Sequence, residues 1–245
     1  MEQNFFDIED VFNGYSELRS SENNCNILME QPEMSRLLPD LTGMRVLDLG
    51  CGFGHNCKNF IDRGASHVTG IDISEKMLAV AVSENSHQNI EYINMSMTAI
   101  SRLNSGYDLV YSSLAFHYIE DMPQLMKSIY AQMNKGGYLL FSQEHPIYTA
   151  SVNGQGHYIL DDQGNKRGYC FSHYQLSGKR EDEWFVKGRV YYHRTFSDII
   201  NSVVGAGLSV EQVCEPVPSA EMVEKRPRSD TLHKPMFLIV KAKKI

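Results

Sequence analysis

The chain has 245 residues, of which 42% are hydrophobic and 10% aromatic, an ordinary globular composition that excludes a mainly disordered state. Lys and Arg number 23 against 30 Asp and Glu, and the net charge of −7 argues against a protein whose chief task is gripping a phosphate backbone through a broad basic face. No apolar run reaches the length of a membrane helix and the N-terminus is acidic rather than signal-like, so a cytoplasmic protein without membrane contact is expected.

In chain order, Met44–Leu49 has the pattern of a buried strand ending in glycines, and His55–Asp62 that of a helix closed by Gly64. Val68–Asp72 is a second strand, and Ser74 is placed to cap a helix through Val82. Ile90–Asn94 and Tyr107–Leu114 give the third and fourth strands. In Asp121–Asn134, Met122, Leu125, Met126, Ile129, Tyr130 and Met133 recur at helical spacing, with Gly136 and Gly137 expected to end the helix before a fifth strand, Tyr138–Ser142. Periodicity lapses until Phe196, Ile199, Ile200, Val203 and Val204 mark a helix stopped by Gly205 and Gly207. Leu208–Cys214 and Met236–Ala242 are the last strands, and no helical pattern links them. Parallel neighbours need such a crossover, so the final strand is expected to be antiparallel.

The chemistry is concentrated in Asp48-Leu49-Gly50-Cys51-Gly52-Phe53-Gly54, where the first strand turns into the first helix. Glycines there permit a sharp bend and close approach of a ligand, and the helix N-terminus offers free N–H groups to an anion. Asp72, 18 residues beyond Gly54, ends the second strand where a carboxylate accepts hydrogen bonds from ribose hydroxyls. Together these describe a site for a nucleoside-bearing cofactor. A dinucleotide fingerprint requires GxGxxG, whereas His55 stands where the third glycine would fall.

The segment Val46–Gly54 resembles the signature of the class I S-adenosylmethionine-dependent methyltransferases. The blocks Gly70–Leu78, Tyr107–His117 and Met133–Phe141, and the terminal antiparallel strand, follow in that family's order. The resemblance implies a three-layer α/β, Rossmann-like fold with a seven-stranded, mostly parallel sheet. It implies S-adenosyl-L-methionine as cofactor, held by Asp48, Gly50, Cys51, Gly52, Asp72, Ile73, Met77, Ser96, Met97 and Ser113. Asp72 inherits the ribose, Ile73 one face of the adenine, and the backbone near Ser113 the methionine end. Many relatives have Asp-Ala where this chain has Ser96-Met97, and the tetrapeptide Asn-Pro-Pro-aromatic of nitrogen-methylating enzymes is absent at Ser113–Phe116. A bacterial branch of small methyltransferases shares the Glu-His-Pro-Ile sequence after the fifth strand.

Residues 145–193 hold nine of the 25 aromatic residues, among them Tyr148, Trp184, Tyr191 and Tyr192. Turn chemistry at Asp161–Asn165 and alternation in Trp184–Tyr192 predict a β-rich lid inserted after the fifth strand. Residues 1–245 are thus expected to form one domain, with 1–43 as an N-terminal cover, 44–144 and 194–245 as the core and 145–193 as the lid. Arg19, in the cover, is expected to be solvated. Open α/β sheets bind ligands at the carboxyl ends of their strands, which makes His145, His117 and Glu144 the candidate catalytic residues, with either imidazole as general base. The five cysteines are scattered without a CxxC pair, so neither a disulfide framework nor a metal is expected.

The expected reaction is methyl transfer to an O or N nucleophile of a small organic molecule, by a monomer or homodimer. A tRNA-modifying enzyme using Lys225, Arg226 and Arg228, a nicotinamide-dependent oxidoreductase and a non-catalytic cofactor-binding module are the alternatives.

Overall fold

The computed structural model describes residues 3–21, 24–152, 156–219, 224 and 232–245. The chain opens with helix α1 (Glu9–Ser20), a π-helical turn at Asn26–Glu30 and α2 (Gln31–Leu37). An alternating core follows: β1 (Arg45–Leu49), α3 (His55–Asp62), β2 (His67–Asp72), α4 (Glu75–Glu84), β3 (Ile90–Asn94), β4 (Tyr107–Ser112), α5 (Met122–Gln132) and β5 (Met133–Glu144). The insertion contains the short helix α6 (Pro146–Thr149) and two hairpins, β6 (His157–Leu160) with β7 (Lys166–Cys170) and β8 (Gly178–Trp184) with β9 (Val186–His193). Helix α7 (Phe196–Gly205), β10 (Leu208–Cys214) and β11 (Phe237–Lys244) complete the fold.

Seven strands form one sheet in the order β10-β11-β5-β4-β1-β2-β3. β1 to β5 pair in parallel, and β11 runs antiparallel to both β5 and β10, as the missing crossover requires. Period-two alternation splits the core into two layers. Leu47, Leu49, Val110, Leu139, Phe141 and Val240 face Met126 and Ile129 of α5 and Ile199 and Val203 of α7. Val46, Leu109, Tyr111, Leu140 and Ile239 face Met34 and Leu37 of α2 and Phe60 of α3. The cap expected at Ser74 forms, its side chain accepting from the N–H of Met77, and Asp121 caps α5 in the same way by accepting from that of Gln124.

Two expectations need correction. The helix expected over Asp121–Asn134 ends at Gln132, and pairing resumes at once, so Gly136 and Gly137 lie within β5 at a register shift rather than closing the helix. Trp184–Tyr192 is not one strand, because Phe185, at φ +60°, turns the chain between β8 and β9. The N-terminal segment is substantially helical.

That segment and the β8–β9 hairpin meet. The Gln3 side chain donates to Gly188 O at 2.7 Å and accepts from the Val190 N–H at 2.9 Å. The Phe6 ring makes edge contacts with Tyr15, Tyr118 and Trp184 at centroid distances of 5.3, 5.9 and 6.2 Å.

Candidate active site

β1 and β4 are neighbours in the sheet but not in the chain, and at such a switch of strand order the loops beyond the carboxyl ends diverge and leave a crevice. A cavity of about 980 Å³ lies there. Its lining includes Gly50, Cys51 and Gly52 after β1, Asp72, Ile73 and Met77 after β2, Met97 after β3, Ser113 and His117 after β4, and Glu144 at the end of β5. Tyr148, Trp184, Arg189 and Tyr192 of the insertion, and Phe6, Tyr15 and Arg19 of the N-terminal segment, close it from the other side.

On the β1–β2 side, the loop is held by Asp72. Oδ2 of Asp72 accepts from the N–H of Gly52 and Oδ1 from that of Ser74, both at 2.9 Å. Burial raises the pKa of Asp72 against these hydrogen bonds. Each oxygen keeps lone-pair capacity for a further donor. Gly52 has φ +54°, and a Cβ built on it would meet no atom within 4 Å, so the space above it belongs to the cavity. Gly54, at φ +78°, differs: a Cβ there would collide with the Tyr92 hydroxyl.

Beneath the loop, Asp48 is 1% exposed. Its Oδ2 accepts from the Cys57 thiol at 3.4 Å, and its Oδ1 has no partner among the described residues. Burial pushes its pKa up to about 7, helped by the charge of Asp72 and opposed by the Cys57 hydrogen bond. A carboxyl whose folded pKa is raised stabilises the fold most below its unfolded value, and that contribution is lost as pH rises through the folded pKa. The stability of the wild type relative to Asp48→Asn is therefore expected to fall between about pH 4 and pH 7 and to level off above. Urea midpoints of the two proteins across that range measure it, and a constant difference would contradict it.

At the β4–β5 side, Glu30 is fully buried although nothing in the sequence singled it out. Its Oε1 accepts from the hydroxyls of Ser113 at 2.8 Å and Ser142 at 2.5 Å, and its Oε2 from the Asn26 amide at 2.8 Å. Ser142 in turn accepts from the N–H of Leu114, which sits at φ +54°. Glu30 thus ties the π-helical turn to the ends of β4 and β5, and burial raises its pKa. Arg19 is not simply solvated: it lines the cavity and donates to Asn26.

Deeper in this end lies an ion network. Arg189, with a side chain 5% exposed, forks onto Asp182 through Nε and Nη2 at 2.8 and 2.7 Å and onto Glu144 Oε1 through Nη1 at 2.7 Å. Its guanidinium also lies 4.7 Å from the Tyr191 ring centroid and 5.4 Å from that of Trp184.

Two site expectations do not hold. His145 is not on the cavity: its Nδ1 accepts from the N–H of Ile147 as the cap of α6, and its Nε2 pairs with Glu215 at 2.7 Å. With both ring nitrogens engaged there, it is no candidate base. Ser96 caps the 3₁₀ turn Met97–Arg102 by accepting from the N–H of Thr98, so its neighbours Met97 and Thr98 reach the cavity and Ser96 does not. His117 does line the cavity, but burial lowers its pKa to about 4 and its Nδ1 accepts from the Glu144 N–H at 3.4 Å, an arrangement that leaves the proton on Nε2. Among the described residues no cluster suited to a metal occurs, and no helix is long and apolar enough to cross a membrane.

Residues 46–137 match the family model described as a methyltransferase domain. An uncharacterised protein of Haemophilus influenzae is 35% identical over 246 residues, covering 98% of this chain and 96% of its own. The solved S-adenosylmethionine-dependent methyltransferase of Mesorhizobium loti superposes with a TM-score of 0.80 at 35% identity, covering 92% of this chain and 99% of that one. A malonyl-[acyl-carrier protein] O-methyltransferase of Bacillus cereus is 27% identical over 104 residues, 42% of this chain and 38% of its own. Glycine loop, strand-end acid, antiparallel closing strand and near full-length relatives agree: the chain belongs to the class I S-adenosylmethionine-dependent methyltransferases, enzymes with S-adenosylmethionine as cofactor.

Proposed function

We propose that this enzyme methylates an oxygen or nitrogen of a small organic molecule in the cytoplasm, acting as a monomer or homodimer, with residues 1–43 as cover and 145–193 as lid. The observation that carries this reading is the single cavity that joins the glycine loop and Asp72 to an aromatic wall from the insertion and the N-terminal segment. A cavity of this size, walled on one side by aromatic rings, suits a small organic ligand. The O-methylation named for the Bacillus cereus relative supports an oxygen nucleophile. The net charge of −7 weighs against tRNA, and Lys225, Arg226 and Arg228, the basic residues that reading needs, lie outside the described residues.

The residues fit the cofactor on two counts. The open space over Gly52 leaves room for a ligand against the backbone, and Asp72, on the cavity wall, keeps acceptor capacity beyond its bonds to Gly52 and Ser74. Asp72 would accept from the ribose hydroxyls, Ile73, Met77 and Met97 would pack on the adenine, and Gly50, Cys51 and Ser113 would border the methionine end. When bound, S-adenosylmethionine supplies a methyl group already activated on a sulfonium. The protein's part is then mainly orientation, since aligned reactants at contact distance gain most of the available rate, while the aromatic wall excludes water.

Transfer of labelled methyl from the cofactor into a bacterial metabolite extract tests the reading. Label is expected in a low-mass product identified by mass spectrometry. Label found instead in added tRNA, or in no acceptor at all, would overturn it.

A further inference from the structure

If the acceptor enters over β4 and β5 as proposed above, two side chains at that end define its chemistry. Glu144 lines the cavity with one oxygen held by Arg189 and the other, Oε2, buried without a hydrogen-bond partner among the described residues. Burial works to raise its pKa, but the charge and hydrogen bond of Arg189, aided by the charge of Lys234, lower it on balance, so the carboxylate is ionised and Oε2 is purely an acceptor. A buried charged oxygen left unpaired is costly, and a ligand that donates to it recovers that cost. His117, whose Nδ1 is filled by the Glu144 N–H, has only an Nε2–H to give, and its ring lines the same cavity. This end therefore presents one acceptor and one donor side by side along the chain fold.

Charge narrows the choice further. Arg189 pairs with Glu144 and Asp182, and the Lys234 ammonium, 3.9 Å from the Tyr148 ring centroid, feels the attraction of the same two carboxylates. With two cations and two anions already balanced at this corner, a ligand group of either sign would be desolvated beside them without an unmatched opposite charge among these four. An ammonium offers donors only and a carboxylate acceptors only, whereas a hydroxyl offers both from one atom.

We propose that this corner is a hydroxyl-recognition subsite, in which the acceptor molecule's alcohol or phenol O–H donates to Glu144 Oε2 and accepts from His117 Nε2–H, with its carbon frame against Trp184 and Tyr118. Glu144 and His117 here recognise and orient the hydroxyl. Neutral His117 is a donor to it, not the base.

Trp184 is the chain's single tryptophan and lines the cavity, so its emission reports ligand directly. The test titrates 2-phenylethanol, 2-phenylethylamine and phenylacetate, one frame with three head groups, into the wild type and E144Q saturated with S-adenosylhomocysteine. The expected result is half-saturation by the alcohol at a concentration about tenfold below the other two in the wild type, as one hydrogen bond to a charged group implies. In E144Q that advantage over phenylacetate is expected to vanish. Tighter binding of the amine or the carboxylate, an unchanged ranking in E144Q, or no response to any of the three would overturn the subsite. Should E144Q fail to fold, the wild-type ranking decides alone. Absence of any response to S-adenosylhomocysteine itself would instead overturn the placement of the cofactor.

Discussion

Arg189→Met is expected to destabilise the protein by about 3–5 kcal/mol, because it leaves two largely buried carboxylates near each other without this cation. Asp182 and Glu144 are both bonded to the guanidinium at 2.7 Å, and the side chains concerned are 5%, 21% and 13% exposed for Arg189, Asp182 and Glu144. Burial of this kind removes the solvent screening that makes surface ion pairs nearly neutral. For a chain of this length the loss corresponds to a fall in melting temperature of roughly 6–20 °C. Removing the two anions as well, in Arg189→Met combined with Asp182→Asn and Glu144→Gln, is expected to recover most of it, since the penalty comes from the unpaired charges rather than from the missing pair. Arg189→Lys is expected to fall in between, as an ammonium cannot fork onto both carboxylates. Urea or thermal unfolding measures all three. A loss below about 1 kcal/mol for Arg189→Met would mean that the network is hydrated rather than dry.

The second large effect concerns the glycine loop. At a concentration a hundredfold above its Kd, S-adenosylhomocysteine stabilises a protein that binds it by about 2.7 kcal/mol, which is roughly 5–10 °C here. Gly52→Val is expected to abolish that shift. Its side chain would stand in the cavity, and a β-branched residue at φ +54° strains the turn, but its Cβ meets no atom within 4 Å beyond its chain neighbours. The variant should therefore fold and fail to bind. Gly54→Val meets Tyr92 instead and is expected to lower stability without ligand. Asp72→Ala removes the acceptor for the Gly52 and Ser74 amides as well as for the ribose, and is expected to weaken S-adenosylhomocysteine about a hundredfold. A wild-type shift retained in Gly52→Val would contradict the placement of the ligand over the loop.

The parts of this site legible in the sequence are those where backbone geometry restricts the residue. Gly50, Gly52 and Gly54 all have positive φ, Asp72 stands where a strand ends, and Ser74 caps the next helix, so type and spacing carried the information. What was missed depends on partners distant in the chain. Glu30 meets Ser113 and Ser142 across 83 and 112 residues, and a π-helical turn has no hydrophobic period to announce it. A glutamate with no partner apparent in its own segment ordinarily signals solvent. The inward face of β8 was hidden for a related reason: Arg180 and Asp182 turn inward where an alternating apolar residue would be sought.

His145 and Ser96 show a different competition. Both follow strand ends, where ligand contacts concentrate, yet each spends its side chain on the first N–H groups of a short helix or turn. Glu144, one residue before His145, is the one that reaches the cavity. A strand-end rule selects the neighbourhood, and only the local turn decides which of two adjacent side chains faces in.

The most direct test of the site is titration calorimetry of the wild-type protein with S-adenosylhomocysteine beside NAD. The geometry of the loop, Asp72 and the cavity predicts saturable one-site heat for S-adenosylhomocysteine that is lost in Gly52→Val, and none for NAD. Heat with NAD and none with S-adenosylhomocysteine would contradict it.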